Sequence, residues 1–599
     1  MTAEKSAGAP SHENIDWHAM APRRATFDWQ AVNENVKRLQ ARIVQATKAG
    51  KWGKVKALQW LLAHSFSAKA LAVRRVTENR GRRTAGVDGQ TWNTPKQKTE
   101  AVHNLGRRRD YQPSPLRRVY IPKKNGKTRP LGIPTMTDRA EQALHLLTLD
   151  PVAETISDPN SYGFRRERNT ADALEQCHKV LSRKKSPEWI LEGDIKSCYD
   201  EISHDWMERN IPMDKLVLRK WLKAGVMENG TWQPTESGTP QSGPSRGQGG
   251  IMAPRRATFS PVLANLTLNG LEQKIREKYP KNSQRNRQAQ VNFVRFADDF
   301  IITGSTREIL EQEVKPLVET FLAERGLKLS AEKTIITHIQ EGFDFLGQTI
   351  RKHKGKYIAK PSKKNYQAFM GKVRTTIKKL KGANAATVIR TLNPIIQGKW
   401  PAAGPWANYH QHANSKETYA KADHEIFESV WKWAKQSHQN QGRTWIAQQY
   451  FRPPKGVKWT LNCIVVKPDG TKQNISLTKA SATPIRRHTK IQGTANPYDP
   501  EWEHYFEDRL KRRMQHEPNV SYDELVMWNR QAGICPWPRS GPLMCQQPLI
   551  PETGWEVHHK VWRVHGGKDT MENRELLHPH CHRQLHSQAS SRTNHEDQL

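Results

Sequence analysis

Hydrophobic and polar positions change their rhythm several times along this chain. Residues 28 to 80 read as basic helices, and the stretch WQAVNENVKRLQARIVQATKAG carries apolar residues at helical spacing. A long middle region alternates strand-like and helical runs: LRRVYIPKKNGKTRPLGIP, TDRAEQALHLLTL, EWILEGDIKSCYDEISHDW, VNFVRFADDFIIT and LEQEVKPLVETFLAERG. Such mixing predicts an α/β or α+β domain. From 361 to 450 the pattern is helical and basic again, in NYQAFMGKVRTTIKKLKG and KETYAKADHEIFESVWKWAKQ. Residues 451 to 520 have little periodicity but many basic and aromatic residues, and a Cys/His-rich tail closes the sequence.

At 599 residues the chain is too long for one core, so three or more domains are expected. Lys and Arg number 96 against 59 Asp and Glu, a formal charge of +37, and the excess recurs along the chain instead of forming one tail. A folded protein with such a balance faces a polyanion, and nucleic acid is the leading partner. No apolar run is long enough to span a bilayer, and MTAEKSAGAPSHENIDWHAM lacks the apolar centre of a signal peptide, so no membrane partner and a cytosolic location are expected. Three of the six cysteines, Cys535, Cys545 and Cys581, crowd into the His-rich tail, which suggests metal chemistry in a reducing compartment and not a disulfide framework.

The chemistry begins at VNFVRFADDFIIT, residues 291–303, where Asp298 and Asp299 interrupt a β-prone run. A solvated hairpin tip is the bland explanation. About a hundred residues earlier a second apolar strand ends at Asp194. If the two strands are sheet neighbours, Asp194, Asp298 and Asp299 converge, and three such acids persist together only when cations neutralise them. Hard oxygen ligands of this kind suit Mg²⁺. Two Mg²⁺ ions roughly 3.5–4 Å apart activate an attacking 3′-hydroxyl and stabilise leaving pyrophosphate, which is nucleotidyl transfer.

In order along the chain, RRVYIPKKNGKTRPLGIP, NSYGFRRERNTADAL, GDIKSCYDEISH, GTPQ followed by GGI, SPVLANL, FADD, LKLSAEKT and FDFLG resemble the reverse-transcriptase blocks of group II intron-encoded proteins. The resemblance covers about residues 85–350 and extends more weakly to a thumb-like maturase segment and a C-terminal HNH nuclease. It implies a right-hand polymerase with fingers and palm, a helical thumb and a small ββα-metal domain. The implied organisation is an N-terminal extension with basic helices at 1–84, fingers and palm at 85–350, thumb or maturase domain at 351–450, a DNA-binding segment at 451–524 and the HNH domain at 525–599.

Carried over to this sequence, the resemblance makes Asp194, Asp298 and Asp299 the catalytic, metal-binding acids. Tyr199 becomes the bulky group beneath the sugar of the incoming dNTP, where a 2′-hydroxyl would clash. Lys123 and Arg129, with Arg117 as a further candidate, fall where the family's fingers meet triphosphate, and their cationic groups suit that task. Lys333 resembles the lysine near pyrophosphate, a proton donor. The family's glutamine near the nucleotide is Gln241 or Gln248. A basic face with Lys363, Lys364, Lys372, Arg374, Lys378, Lys379 and Lys381, interleaved with Trp431, Trp433 and Trp445, suits a nucleic-acid surface on the thumb.

Two patterns interleave in the tail. Cys535 and Cys545 with His578 and Cys581 are soft ligands able to form a tetrahedral structural Zn²⁺ site. His582 and His586 stand four residues apart and share one helix face. By resemblance to HNH nucleases, His558, His582 and His586 hold a divalent ion, His559 deprotonates water, and Asn573 orients that base. A neutral imidazole suits a general base at physiological pH. The implied protein copies intron RNA into DNA, assists splicing as a maturase, and cuts target DNA, working as a ribonucleoprotein with its group II intron RNA. The alternative is an RNA-binding splicing maturase whose polymerase is impaired.

That alternative arises from interruptions in the pattern. MAPRRATF occurs twice, at 20–27 and 252–259, in segments that otherwise share no pattern. With SGPSRGQ at 242–248, KWPAAGP at 399–405 and WPRSGPLM at 537–544, these stretches break motifs that close again when they are removed. They are read as inserted peptides. Deleting 242–248 and 252–258 is therefore expected to preserve or improve primer extension on an RNA template, and loss of extension would contradict that origin.

Overall fold

The computed structural model describes residues 29–106, 110–122, 128–239, 259–397, 406–452, 459–466, 470–516, 520–537, 545, 547–551, 553–562, 566–583, 585 and 586. Of the interrupting peptides, residues 20–27, 242–248, 252–258, 399–405 and 538–544 lie outside that set, as do Lys123, Gln241 and Gln248.

The chain begins with three helices, α1 (Trp29–Lys48), α2 (Trp52–His64) and α3 (Phe66–Glu78), packed on the long helix Met136–Ile156. Val36, Leu39 and Ile43 from α1 recur at three- and four-residue steps and meet Leu62, Val73 and Leu144 in one core. Ser65 starts α3 by accepting a hydrogen bond from the Ala68 amide at 3.2 Å, which satisfies a donor that the first turn leaves open.

Two four-stranded sheets follow. The first has the order β2 (Thr128–Ile133), β1 (Leu116–Pro122), β4 (Val226–Glu228), β5 (Thr231–Gln233). The second has the order β6 (Asn292–Phe296), β7 (Asp299–Gly304), β3 (Trp189–Asp194), β8 (Ile335–His338), with every neighbouring pair antiparallel. Ile190, Leu191, Phe293, Val294, Ile301 and Ile302 are buried on both faces of that sheet, so its strands read as continuous apolar runs. Helix Ser260–Leu268, from SPVLANL, lies wholly in the same core.

Beyond a three-stranded sheet at residues 343–361, helices Lys363–Lys379, Ala385–Ile396, Lys416–Ser437 and Arg443–Phe451 bury Phe369, Val373, Leu392, Ile426 and Val430 together. The basic side chains expected on this face, Lys363, Lys364, Lys372, Arg374, Lys378, Lys379 and Lys381, are all exposed. The tryptophans divide. Trp433 is buried, its indole N–H donating to the Leu380 carbonyl at 3.0 Å; Trp431 is half-buried; Trp445 reaches solvent. Trp433 is therefore a core residue and no stacking platform.

Residues 459–516 fold back on both preceding units. The hairpin Asn462–Val466/Lys472–Ser476 packs on Ala385–Ile396, and Ile491 and Ala495 join the core beside Tyr162 and Leu174. The weak periodicity of this stretch has a physical cause: several of its buried apolar residues, among them Leu461, Leu477, Ile491 and Ala495, pack singly into cores built mainly by other elements. Among the described residues no helix is long and apolar enough to cross a membrane.

One polar cluster fastens this stretch. Asp172, fully buried in the first turn of helix Thr170–Leu181, accepts from the Arg509 guanidinium at 2.9 Å and the Ile491 amide at 2.8 Å, and meets His488 Nε2 at 2.9 Å. Burial pushes its carboxyl up, but His488 and Arg509 outweigh that and hold it at about 2. A carboxyl depressed below its unfolded value of about 3.9 stabilises the fold above that pH, and the contribution disappears as pH falls through about 2. Asp172→Asn, which strands the guanidinium, is expected to lower stability by about 3–5 kcal/mol at pH 7 in thermal or urea unfolding. The variant should also lose the wild type's acid sensitivity between those two pH values.

Candidate active sites

The register of the second sheet decides where the acids stand. Asp194, last residue of β3, is the direct partner of Asp299, first residue of β7. Directly opposed residues in an antiparallel pair have Cα atoms about 4.5–5.5 Å apart. Phe296 pairs with Asp299 across a two-residue tip, so Asp298 projects from the turn itself, after Ala297 at φ 59°. Strained backbone of that kind persists only where its surroundings hold it.

Those surroundings are assembled from distant motifs. Gly193 pairs with Phe300, and a Cβ at 193 would lie 2.1 Å from the Phe300 ring. A Cβ on Gly163 would lie 2.3 Å from the Ala297 amide. The fully buried Arg295 donates to the Asn265 side chain at 3.2 Å and the Ala297 carbonyl at 3.1 Å, while Asn265 donates to the Gly163 carbonyl at 2.7 Å. Burial pulls the Arg295 guanidinium down to about 10, opposed by Asp158. NSYGF, SPVLANL and FADD thus lock around one arginine.

Lys333 Nζ donates to Asp194 Oδ2 at 2.7 Å, and the Ser330 amide donates to the Asp194 carbonyl at 2.8 Å. The ammonium is raised by the Asp194 contact, with the charges of Asp299 and Asp298 adding to the effect. Among the described residues two groups of three or more potential ligands lie within 4.8 Å of one another, both in the tail; the three aspartates are not one of them. The Lys333 ammonium brings positive charge to Asp194.

Tyr199 is buried on the short helix Cys198–Glu201 that follows Asp194, and its carbonyl accepts from the Thr239 amide at 2.6 Å. Gly238 stands at φ 83° with no room for a Cβ, which would lie 2.6 Å from the carbonyls of Tyr199 and Asp200. The first half of GTPQ is therefore docked on the backbone of Tyr199 and Asp200. Arg117, on β1, donates to the Ala85 carbonyl at 2.9 Å, and Arg129 stands on β2 opposite Ile121.

The tail brings together both of its expected groups. Cys535, Cys545, His578 and Cys581, all buried, offer ligand atoms within 4.8 Å of one another. His578 Nδ1 lies 3.5 Å from Cys545 Sγ while its Nε2 reaches the Pro548 carbonyl at 3.3 Å, a partner that fixes the ring with Nδ1 towards the sulfurs. Hydrogen bonds from Cys535 and Cys581 hold the Cys545 thiol far below its usual range. Three sulfurs and one imidazole nitrogen in a buried cluster fit Zn²⁺.

His558, His582 and His586 form the second group. His558 and His559 lie on the strand Glu556–His559, paired with Arg574–Leu577, and His582 and His586 approach from the helical residues that follow, their Nε2 atoms 3.0 Å apart. Two ring nitrogens that close need a shared cation or proton between them. Glu556 Oε2 meets His582 Nδ1 at 2.5 Å, leaving Nε2 for a ligand. The His559 ring is held by Asp569, 3.0 Å from Nε2. Asn573 bonds elsewhere: its side chain ties the loop backbone at Val561 and Lys568, and its carbonyl accepts from the Lys560 amide. It ties the backbone after His559, while Asp569 contacts the ring.

Glu556 and Asp569 had no signal in the sequence, because an acid ten residues from its histidine returns only through a loop whose path is set by Asn573. Gly567 is the single local hint. A Cβ there would lie 1.9 Å from the Val561 carbonyl.

Residues 25–105 match the N-terminal domain of reverse transcriptase, 121–350 the reverse transcriptase (RNA-dependent DNA polymerase) family, 366–451 the group II intron maturase-specific domain and 543–588 the HNH endonuclease family. Protein YkfC of Escherichia coli K12 is 32% identical over 333 residues, which is 48% of this chain and 81% of that protein. The chain belongs to the group II intron-encoded reverse transcriptase/maturase family with an HNH endonuclease domain.

Group II intron-encoded protein LtrA of Lactococcus lactis is 29% identical over 373 residues, 51% of this chain and 59% of LtrA. Maturase-like protein 1 of Euglena gracilis is 26% identical over 366 residues, 60% and 70% of the two chains. The polymerase and nuclease domains imply divalent metals and nucleic-acid substrates, and the maturase domain implies binding to intron RNA. Within this reverse-transcriptase domain the close approach of Gly193 to Phe300 is open to test. Gly193→Ala should cost about 1–3 kcal/mol through overpacking. The double variant with Phe300→Leu should recover part of that loss in thermal unfolding.

Proposed function

We propose that this protein is a multifunctional intron-encoded enzyme that synthesises DNA on its group II intron RNA, assists splicing of that RNA, and cuts target DNA for intron mobility. The pairing of Asp194 with Asp299, with Asp298 on the adjoining turn, carries the polymerase part. Asp194, Asp298 and Asp299 would hold Mg²⁺, which when bound would supply the charge to activate a 3′-hydroxyl and stabilise leaving pyrophosphate. Tyr199 closes the floor beneath the incoming sugar and excludes a 2′-hydroxyl. Lys333, already among the acids, donates a proton or a hydrogen bond towards the leaving pyrophosphate. Lys123, Arg129 and Arg117 meet the triphosphate, and Gln241 or Gln248 lies near the nucleotide.

In the tail, His559 takes a proton from water while Asp569 fixes its ring and stabilises the imidazolium formed. His558, His582 and His586 hold a divalent ion, which supplies electrostatic stabilisation to the cleaved phosphodiester. Asn573 sets the loop that carries Asp569 to the base. Cys535, Cys545, His578 and Cys581 hold a structural Zn²⁺. The exposed lysines of the thumb bind RNA backbone, so affinity falls steeply with salt. The protein works in the bacterial cytosol as a ribonucleoprotein with its intron.

The interruption after GTPQ favours a second reading, a splicing maturase with an impaired polymerase. Two assays separate the activities. Asp298→Ala should lower primer extension on an RNA template by about 10²–10³-fold, the scale of losing one preorganised electrostatic group, while leaving DNA cleavage intact. His559→Ala should do the converse. Extension by neither the wild type nor Asp298→Ala would favour the splicing factor.

A further inference from the structure

We infer that Arg74, on α3 of the N-terminal domain, is a positioning residue for the Cys₃His cluster of the tail, so that the metal centre also clamps the nuclease domain to the reverse-transcriptase body. The inference rests on the zinc reading above. Arg74 is separated from the cluster by more than 450 residues of sequence, yet its Nη2 lies 3.6 Å from Cys545 Sγ and 3.2 Å from His580 Nε2. His580 in turn lies 3.2 Å from Cys581 Sγ, and its ring stacks on that of His578 at 5.3 Å. One guanidinium therefore touches one ligand directly and stands against His580, the neighbour in sequence of a second.

The arginine is held for this task. Its Nε donates to both carboxylate oxygens of Glu78, at 3.1 and 3.2 Å, and its guanidinium carbon lies 4.4 Å from the centre of the Trp29 ring. The side chain is 12% exposed. Its helix is itself rigid, with Ala68, Ala72, Val73 and Val76 buried in the N-terminal core.

The charge explains the arrangement. A divalent zinc with three thiolates and a neutral imidazole is a net anion, and a buried anion is costly unless a cation accompanies it. Arg74 is the cation that the geometry supplies. Charged N–H groups at sulfur also lower the electron density that a thiolate must carry, and partners of this kind hold a ligand in its coordinating orientation. The N-terminal helices and the tail thereby become mutually dependent: zinc completes the surface that Arg74 docks on, and Arg74 completes the surroundings that zinc needs.

The test uses the full-length protein, wild type and the variants Arg74→Ala, Arg74→Lys and Glu78→Gln, in a zinc competition with a chromophoric chelator and a parallel limited proteolysis. Primer extension checks that each variant is folded. Arg74→Ala should bind zinc about 10–100-fold more weakly, the usual cost of losing such a partner. Its tail should also be released by protease at zinc concentrations that protect the wild type. Arg74→Lys, which keeps the charge but not the fork, should fall between, and Glu78→Gln should show a smaller loss of the same kind. A wild type that binds zinc with Arg74→Ala and Glu78→Gln within about twofold of it overturns the role of Arg74. A wild type that takes up no zinc overturns the zinc reading itself. Should Arg74→Ala fail to fold, Glu78→Gln decides between the same two outcomes.

Discussion

Two aspartates opposed across an antiparallel strand pair, with a third on the adjoining turn, set the condition that the reverse-transcriptase body is built to meet. Like charges crowd together there, and the sheet offers them no retreat, because a register shift of one residue would move every buried side chain of β3 and β7 from one flanking core into the other. Cationic charge has to come to the acids. In the structure Lys333 provides part of it.

Rigidity around that cluster comes from buried polar groups that bond one another. Arg295 joins the FADD turn to Asn265 and, through it, to Gly163. Arg165 makes a bidentate pair with Glu154, which also receives Arg168, and Arg168 donates onward to the carbonyls of Gly493 and Ala495. Breaking one member of such a network strands a buried charge, so the motif residues that never approach substrate are as constrained as those that do. The same logic recurs in the tail, where Asn573 holds a loop so that Asp569 can reach His559, and Glu556 turns His582.

Much of the chemistry was legible in the sequence, because it is written in short, ordered spacings. The Asp194 and Asp298–Asp299 strand ends, the four-residue step from His582 to His586, and the Cys and His residues of the cluster could be singled out before any fold was known. What was not legible lies in contacts between residues far apart along the chain. Nothing near Arg74 announces that it meets Cys545, nothing near Asp172 announces His488 and Arg509, and the role of residues 480–510 as a strap on the palm is hidden because its apolar residues serve other elements' cores. Which of the thumb's tryptophans belong to its core is likewise settled only by burial, as for Trp433.

The most direct measurement of the central claim is anomalous scattering from crystals of the protein grown with Mn²⁺, an RNA template, a DNA primer and a non-extendable nucleotide. Two manganese peaks roughly 3.5–4 Å apart, bridged by Asp194 and the Asp298–Asp299 pair, are the result the account requires. Nucleotide bound with no metal at those carboxylates, or with metal held elsewhere, would contradict it.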